Sequence, residues 1–422
     1  MKKRRYTATS VKQVNWNKLS EHTAGQPIVC GVDVAKEEFY AVLMKPDLTV
    51  IETLKWVHPQ QTRELAAHLL EDLQAQRLEV VMEPSGTYGD ALRHYLNELG
   101  LGVYRVSPKR VHDAAEVYDG VPSLHDAKSA YLIGRLHLAG ASTRWEELTV
   151  SRRDQHALIT ELDLYHSQYQ ANLNRLEAYL NRHWPEATRL MGLNSVSLQS
   201  LLGEYGDPQQ VAQHREAAAR LLQRSGRGLL HAEKIQPLLD SSATTLGLPC
   251  TDAERHLLQR LGQELLRTHQ LLQEIEQRIT QIVDTDPVLT RLAPVVGKTT
   301  SLVLATTQGS PLAYPNPHSY VKGVGLNLKE HSSGKHTGQL KISKRGPGKA
   351  RKYLYFSALR WCHHDPVIAA WYQQKVARDG GLKGKAIVAL MRKLAMALWH
   401  VARGEVFDSG KLFNARALGL RG

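Results

Sequence analysis

The stretch Pro27-Ile28-Val29-Cys30-Gly31-Val32-Asp33 decides the fold of the N-terminal part of this chain. It is a short apolar run that ends in a carboxylate, which is typical of a buried strand. Two further β-like runs follow closely, Phe39 to Met44 and Thr49 to Trp56. Because antiparallel strands can be joined by short turns, the three runs together predict an antiparallel meander.

Helices and strands alternate after the meander. The predicted elements are a helix over 61–74, a strand over 78–82, a helix over 88–99, a strand over 102–106, and helices from Pro108 and from about Ser123. The resulting βββαβαβα order predicts an α/β fold with a mixed sheet, in which helices cover the strands.

The middle of the chain has a helical pattern instead. From Val150 to Pro185 apolar residues recur at spacings of three and four, and from Thr251 to just before Pro287 the steps of three and four alternate as in a heptad. This heptad pattern predicts a long coiled-coil hairpin or a dimer interface. Residues 187–250 are polar and broken by Gly and Pro, so we expect short helices inserted at the tip of the hairpin.

These patterns divide the chain into four parts. We expect a basic N-terminal arm over residues 1–26, an α/β domain over 27–145, a helical domain over 146–286 and a mainly helical C-terminal domain over 287–422. In the last part, basic helices are predicted from Lys349 to Cys362, from Pro366 to Ala377 and from Lys385 to Arg403.

Positive charge is concentrated near the C-terminus. Residues 321–422 contain 20 Lys and Arg against 5 Asp and Glu, whereas the whole chain carries a net charge of +13. The preceding residues are therefore slightly acidic as a group. This concentration of charge and a pI near 9.5 indicate a polyanionic partner, because clustered cations neutralise several phosphates at once.

Composition excludes several other classes of protein. A hydrophobic content of 42% in 422 residues supports the cores of two or three domains. The cysteines Cys30, Cys250 and Cys362 lie far apart, which argues against a disulfide framework and against a zinc site. No apolar run of about 18 residues occurs, and no apolar segment follows the basic N-terminus, so we expect a cytoplasmic protein with no membrane partner.

Three carboxylates are candidate metal ligands. Asp33 ends the first strand, Glu83 follows a later strand, and Asp126 lies near the start of a helix. Strand ends in a sheet of this order bring such residues together. Converging carboxylates repel one another unless a cation lies between them, and Mg²⁺ or Mn²⁺ prefers oxygen ligands and serves phosphodiester chemistry. Each residue alone also has a structural interpretation, as a cap or as a loop residue.

A serine pair lies in a small basic loop, His331-Ser332-Ser333-Gly334-Lys335. A serine hydroxyl becomes a nucleophile toward phosphate only where a base, a metal or neighbouring cations stabilise the developing charge. The same cations would equally make an inert DNA-binding surface. The residues that we expect to contact nucleic acid are Lys335, Lys341, Lys344, Arg345, Lys349, Arg351 and Lys352.

Taken in order, the motifs resemble those of the transposases of the insertion sequence 110 family, which are bridge-RNA-guided DNA recombinases. The resemblance extends over nearly the whole chain and leaves out only 187–250. The motifs that carry it are Gly31-Val32-Asp33-Val34-Ala35-Lys36, Met82-Glu83-Pro84-Ser85-Gly86-Thr87-Tyr88, the block from Val106 to Ala130, Val324-Gly325-Leu326, Ser332-Ser333-Gly334 and Ile342-Ser343-Lys344-Arg345-Gly346.

The resemblance implies an RNase H-like (RuvC-like) domain over 27–145, in which an Asp-Glu-Asp-Asp tetrad binds Mg²⁺. A coiled coil joins it to a C-terminal domain whose nucleophile is Ser333, with Ser332 as the second candidate. Such enzymes are understood to cut DNA by attack of serine on phosphate, hold the end as a phosphoserine ester, exchange strands and reseal.

The resemblance also implies partners. They are double-stranded donor and target DNA, a structured non-coding bridge RNA, and further copies of the chain in a dimer or tetramer, with the acidic site and the serine meeting across subunits. A bacterial, nucleoid-associated location in the cytoplasm follows from these partners.

One position departs from the family pattern. The last two carboxylates of the tetrad stand one helical turn apart, and here those positions are Asp126 and Ser129. Serine ligates a metal without bringing charge, so we expect a second metal to bind more weakly or differently. Asp119, seven residues before Asp126, is a candidate for compensation, and an inactive copy is a further alternative.

Two competing functions remain open from the sequence. In the first, the chain is a RuvC-like nuclease in which a metal activates water and the basic domain only holds DNA. In the second, it is a coiled-coil nucleic-acid-binding protein without catalytic activity. A covalent protein–DNA adduct distinguishes the serine mechanism from hydrolysis, because hydrolysis leaves none.

Overall fold

The computed structural model describes residues 7–226, 231–330, 340–413 and 418. The chain forms two compact units, Met1–Leu148 and Thr149–Gly422. The predicted boundary between residues 145 and 146 lies close to this division. The predicted boundary between residues 286 and 287 lies within the second unit, where helices on both sides of it pack together.

Seven strands form the sheet of the first unit. They are β1 (Thr9–Ser10), β2 (Pro27–Asp33), β3 (Glu38–Met44), β4 (Val50–Val57), β5 (Arg77–Met82), β6 (Gly102–Arg105) and β7 (Thr143–Arg144), in the order β1-β4-β3-β2-β5-β6-β7. The predicted meander of β2, β3 and β4 is confirmed, since both pairs of neighbours are antiparallel. β5 and β6 continue the sheet in parallel with β2, so the sheet is mixed, as predicted.

The α-helices in the described part of this unit accompany the sheet. They are α1 (Trp16–Thr23), α2 (Thr62–Ala67), α3 (Asp90–Glu98), α4 (Pro108–Asp113) and α5 (Asp126–Leu138). The core on one face of the sheet includes Leu65 of α2 and Leu92 of α3. The core on the opposite face includes Ile133 of α5. The helix predicted over 61–74 begins as α2 and ends in a π-helical turn over His68–Asp72.

The N-terminal residues differ from the predicted basic arm over 1–26. β1 pairs in parallel with β4, and the side chains of Val11, Trp16 and Leu19 are buried in the first unit. The described part of this segment is therefore integrated into the fold. Its few apolar residues are widely spaced among polar ones, so their periodicity alone did not indicate burial.

The second unit is mainly helical, as predicted. Its elements are α6 (Val150–His183), α7 (Ala187–Leu190), α8 (Val196–Tyr205), α9 (Pro208–Gln213), α10 (Arg215–Ser225), α11 (Ala232–Thr244), α12 (Asp252–Thr285), α13 (Pro287–Val296), α14 (Lys298–Gln308), α15 (Pro317–Gly323), β8 (Leu328–Lys329), β9 (Lys341–Ile342), α16 (Gly348–His364), α17 (Pro366–Arg378), α18 (Lys383–Ala402) and α19 (Ser409–Leu412).

The two long helices, α6 and α12, have 34 residues each and pack against each other along a buried apolar seam. Leu158 of α6 shares a core with Ile279 of α12, whereas Leu180 shares another with Leu258. The helices therefore run in opposite directions, as a hairpin requires. Each fully buried leucine stabilises this packing by about 1.5–3 kcal/mol.

Residues 187–250 contain the short helices that the sequence predicts, α7 to α11, in the part of this segment that the structure describes. They are not a loose insertion, because Leu198, Leu201 and Leu238 are completely buried in a core shared with α6 and α12. Asp207 is also buried, and its carboxylate accepts a hydrogen bond from Arg255 of α12 at 2.6 Å. This ion pair anchors the short helices to the hairpin.

The last part of the chain packs α13, α15, α16 and α18 around a common apolar core. The three predicted basic helices are present as α16, α17 and α18. Leu354 of α16 and Leu390 of α18 are completely buried at its centre. In the ranges that the structure covers, no helix has the length and apolar character needed to cross a membrane.

Candidate functional site

Asp33 and Glu83 lie side by side at one edge of the sheet. Asp33 is the last residue of β2, and Glu83 directly follows β5. These strands are parallel neighbours in which Val32 pairs with Met82, so both carboxylates leave the sheet at the same edge. Parallel pairing thus brings together two residues that are 50 positions apart in sequence.

Asp126 reaches this edge as the first residue of α5. Gly31 on β2 allows the approach: a Cβ atom there would lie only 2.4 Å from the carbonyl oxygen of Ala130 on α5. Alternate residues of a strand face the same side, so Asp33 faces α5 as Gly31 does. The contact therefore places the start of α5 beside the end of β2.

The electrostatics of Asp33 reflect this convergence. Burial, the charge of Asp126 and the charge of Glu83, in that order, raise the pKa of Asp33 to about 7. Burial also raises the pKa of Glu83. The carboxylates of Asp126 and Glu83 therefore lie within electrostatic range of Asp33.

The donor set fits a divalent cation in chemistry, because all three groups supply carboxylate oxygens and their mutual repulsion would be relieved by positive charge. The geometry is open, however. Within the described ranges, no three His, Cys, Asp or Glu side chains are arranged closely enough to hold a metal ion together. A cation would have to draw Asp33, Glu83 and Asp126 closer.

Ser129, the residue at the fourth ligand position of the family pattern, lies one turn beyond Asp126 on α5 and is half-buried. Its backbone N–H donates to the carbonyl oxygen of His125 at 2.9 Å, which is the regular helical bond at this turn. Ser129 therefore follows Asp126 on the same helical face, as the spacing predicts.

Asp119, the candidate for compensation, is bonded to Lys128. The Lys128 ammonium is buried and donates to the Asp119 carboxylate at 2.9 Å and to the carbonyl oxygen of Val121 at 2.6 Å. This pair ties the segment before α5 to α5 itself. Lys128 was not among the predicted site residues. The only indication of its role in the sequence is that a lysine stands among small and apolar residues at the start of a helix.

Two polar residues that the sequence analysis also missed continue the site across the sheet. Tyr40 pairs with Asp33 across β2 and β3, and Lys55 pairs with Tyr40 across β3 and β4. Hydrogen bonding to Glu38, then burial, then the charges of Glu38 and Asp126 raise the pKa of Tyr40 to about 12. Tyr40 is therefore within electrostatic range of Asp126.

Ser332, Ser333 and Lys335 lie outside the described residues, which stop at 330 and resume at 340. The two flanks of this segment are the antiparallel strands β8 and β9. Ser343 after β9 is tied to Asn327 before β8 by its hydroxyl and by a backbone bond of 2.8 Å. The two chain segments that lead into and out of the serine segment are thus held side by side.

The glycines near these flanks are tightly packed. A Cβ atom on Gly346 would lie 2.2 Å from the carbonyl oxygen of Gly323, so only glycine fits at this position without movement. Arg351 of α16 donates to the carbonyl oxygens of Val324 at 3.1 Å and Gly346 at 2.7 Å. The predicted nucleic-acid contact Arg351 therefore also has a structural role.

The other predicted nucleic-acid contacts differ in how their charge is balanced. Lys341, Lys344 and Arg345 are exposed near β9. In contrast, the ammonium groups of Lys349 and Lys352 on α16 lie 2.6 Å and 3.8 Å from the carboxylate of Asp163 on α6. Asp163 thus offsets part of the positive charge of α16.

Comparison with known proteins gives matches in both halves of the chain. A family profile for transposases with a DEDD motif, of the IS110 type, matches residues 30–185. A second profile, "Transposase IS116/IS110/IS902 family", matches residues 289–373. The "Insertion element IS110 uncharacterized 43.6 kDa protein" of Streptomyces coelicolor is 24% identical over 308 residues, which cover 71% of this chain and 75% of that protein.

Proposed function

The chain belongs to the IS110 family of insertion-sequence transposases, and from this premise we propose that it cuts and rejoins DNA through a phosphoserine intermediate at a Mg²⁺-dependent acidic site. Ser333 is the proposed nucleophile, with Ser332 as the alternative. Asp33, Glu83 and Asp126 are the proposed metal ligands. The single observation that best supports this assignment is that the pairing of β2 with β5 and the start of α5 bring Glu83 and Asp126 within electrostatic range of Asp33.

The acidic site would act by holding cations next to the reacting phosphate. Bound Mg²⁺, or Mn²⁺, supplies positive charge that stabilises the attacking and leaving oxygens of the phosphoryl transfer. Asp33 would bind a cation only in its deprotonated form. Because its pKa is raised, a proton would compete with the cation for this carboxylate. Ser129 adds an uncharged oxygen where the family pattern has a carboxylate.

The serine chemistry balances as an exchange of esters. The hydroxyl oxygen of Ser333 forms a bond to phosphorus and loses its proton, while the bond from phosphorus to one deoxyribose oxygen breaks and that oxygen gains a proton. Attack by another DNA hydroxyl on the phosphoserine reverses these changes and releases the serine. Exposed Lys341, Lys344 and Arg345 beside β9 would attract the phosphate backbone.

The partners in this proposal are donor and target DNA duplexes, a structured bridge RNA and further copies of the chain. The proposed assembly is a dimer or tetramer, and the apolar seam of α6 and α12 forms within one chain, so this seam does not itself join the subunits. An oligomer lets the carboxylates of one subunit act with the serine of another. Such an assembly would function in the bacterial cytoplasm, associated with the nucleoid.

Trapping of a covalent adduct tests the mechanism. The purified protein, its co-purified RNA and Mg²⁺ are incubated with a nicked suicide substrate, and protein–DNA adducts are resolved under denaturing conditions. We expect an adduct with the wild-type chain and none with Ser333→Ala. The matched control is Ser319→Ala, which replaces a serine on α15 of the same unit and should leave the adduct unchanged.

Other outcomes have defined meanings. An adduct that persists in Ser333→Ala but disappears in Ser332→Ala reassigns the nucleophile. Cleavage without any adduct supports a RuvC-like nuclease in which water attacks the phosphate. The proposed role of the bridge RNA is contradicted if no structured RNA co-purifies and cleavage does not depend on RNA.

A further inference from the structure

Asp33 belongs to a longer polar row that crosses four strands of the sheet. Asp33 on β2 pairs with Tyr40 on β3, Tyr40 pairs with Lys55 on β4, and Lys55 pairs with Ser10 on β1. Residues paired across strands share one face of a sheet, so these side chains lie on the face that carries α5. The row begins at the acidic site and leads away from it.

A surface pocket lies between the middle of this row and the start of α5. Its volume is about 300 Å³, and its lining includes Tyr40, Lys55, His125 and Asp126. Since Asp126 belongs to both the proposed metal site and the pocket, a molecule bound at the carboxylates extends directly into the pocket. Lys55 supplies a positive charge about two strand spacings, or about 10 Å, from Asp33 along the sheet.

Glu38 holds the ammonium group of Lys55 in place. Its carboxylate accepts hydrogen bonds from the Lys55 ammonium at 2.9 Å and from the Tyr40 hydroxyl at 2.7 Å. The side chains of Lys55 and Glu38 retain 36% and 40% of their exposure, and exposed pairs of this kind add little to folding stability. Because the pair is solvent-accessible, a phosphate can compete with Glu38 for the Lys55 ammonium group.

We propose that Tyr40 and Lys55 form a binding track for the DNA strand that is cut, with Lys55 contacting a phosphate next to the one held at the carboxylates. This inference rests on the proposed function, because it needs the acidic site to act on DNA. Lys55 is a binding residue of this track, and Tyr40 and Glu38 are positioning residues that orient its ammonium group.

Lys55→Gln removes the charge, Lys55→Arg retains it, and Lys45→Gln is the matched control. Lys45 directly follows the other end of β3, away from the carboxylates. We expect Lys55→Gln to raise the KM for DNA cleavage about tenfold with little change in kcat, the size expected for one charge-assisted hydrogen bond. Lys55→Arg should restore most of the affinity, and Lys45→Gln should match the wild type.

A second measurement does not need catalysis. Fluorescence anisotropy of a labelled oligonucleotide, measured in EDTA over a range of salt, should show a slope of log K against log salt that is smaller by about 0.7 for Lys55→Gln on single-stranded DNA. Methylphosphonate substrates locate the contact, because one neutralised phosphate near the cut should weaken binding to the wild type but not to Lys55→Gln.

The track hypothesis is wrong if Lys55→Gln binds and cleaves like Lys45→Gln, or if the methylphosphonate penalty is undiminished in Lys55→Gln. It is equally wrong if kcat falls while KM and the salt slope stay constant, because Lys55 would then affect the carboxylates and not the strand. Absence of cleavage by the wild type contradicts the proposed function instead, and the anisotropy comparison still tests the track.

Discussion

Gly31 of β2 and Gly134 of α5 lie with their backbones in contact, and a Cβ atom on Gly31 would lie 2.6 Å from the backbone nitrogen of Gly134. A Cβ atom on Gly134 would in turn lie 2.5 Å from the Sδ atom of Met44 on β3. This contact sets how closely α5 approaches the sheet. It therefore determines the separation between Asp126 at the start of α5 and Asp33 at the end of β2.

We expect Gly31→Ala to displace α5 and weaken divalent-metal binding, because the added methyl group collides with backbone atoms that cannot rotate away. Overpacking of this kind costs about 1–3 kcal/mol in folding stability. Thermal unfolding and a calorimetric Mg²⁺ titration check both effects. Gly384→Ala on α18 is the control, since no atom lies within 4 Å of its added Cβ; equal metal affinity in both variants would contradict this role of Gly31.

The raised pKa of Asp33 predicts a pH dependence of stability in EDTA. An aspartate has a pKa of 3.8 without these interactions, whereas the folded chain holds Asp33 at about 7. The folded state therefore binds the proton more tightly, and the contribution of Asp33 to stability is fully present below pH 3.8 and lost as the pH rises to 7. At pH 8, Asp33→Asn should be more stable than the wild type by on the order of 2–4 kcal/mol.

Chemical denaturation of both proteins at pH 5 and pH 8 measures this effect. The gain from Asp33→Asn should be larger at pH 8 than at pH 5, and Asp47→Asn, in the exposed turn between β3 and β4, should show no such gain. Saturating Mg²⁺ should reverse the order, because only the wild type retains all three carboxylates. A stability difference that does not change with pH would mean that Asp33 is not buried among like charges.

Ser129→Asp should tighten Mg²⁺ binding or widen the range of metals that support activity. The change adds a carboxylate one helical turn from Asp126, on the face where the family pattern places its last ligand. A metal titration of Ser129→Asp, with uncharged Ser129→Asn as the control, measures the effect. Identical titrations for the two variants would show that position 129 does not reach the metal.

Lys128 and Asp119 should contribute to stability as a pair and not to metal binding. Lys128→Met removes a buried ammonium group that donates to the Asp119 carboxylate at 2.9 Å, and loss of one partner of such a pair should cost about 3–5 kcal/mol. The double variant with Asp119→Asn should recover part of this loss, as measured by chemical denaturation. If Asp119→Asn alone lowers the Mg²⁺ affinity, then Asp119 compensates for Ser129 after all.

Asp163→Asn should tighten nucleic-acid binding. The change removes one negative charge next to the Lys349 and Lys352 ammonium groups, so one more net positive charge becomes available to phosphate. The dependence of binding on salt should steepen by about one unit in the log–log slope for duplex DNA. Glu161→Gln, at a neighbouring acidic position of α6 that pairs with Arg278, is the control; a weaker binding by Asp163→Asn would show that the ion pairs serve to hold α16 on α6.

Much of the fold followed from local patterns. The alternation of short apolar runs predicted β2 to β6, and the steps of three and four predicted α6 and α12 with bounds that differ by a residue or two. The N-terminal strand β1 was not predicted, because two residues carry no periodicity and its pairing with β4 is decided by distant contacts. The core of residues 187–250 was missed for the same reason, since short helices bury apolar residues only after they pack together.

The carboxylates of the candidate site could be predicted from the sequence, but the polar residues around them could not. Asp33 and Glu83 stood out because each ends or follows an apolar run. Lys55, Tyr40 and Lys128 gave no comparable signal, since an isolated polar residue in a strand or helix is usually exposed to solvent. Their roles depend on which strands are neighbours and on which residues pair across them.

The sequence by itself determined the chemistry that this chain can carry: oxygen ligands at strand ends, a serine pair among cations, and two long helices with an apolar seam. Local spacing is enough for these features, because residue type and period are properties of short segments. The tertiary structure alone decided that Glu83 and Asp126 come within electrostatic range of Asp33 and that Lys55 lines the same pocket as Asp126. Such proximity comes from parallel pairing of β2 with β5 and from the close approach of α5 at Gly31, which are contacts between segments far apart in the chain.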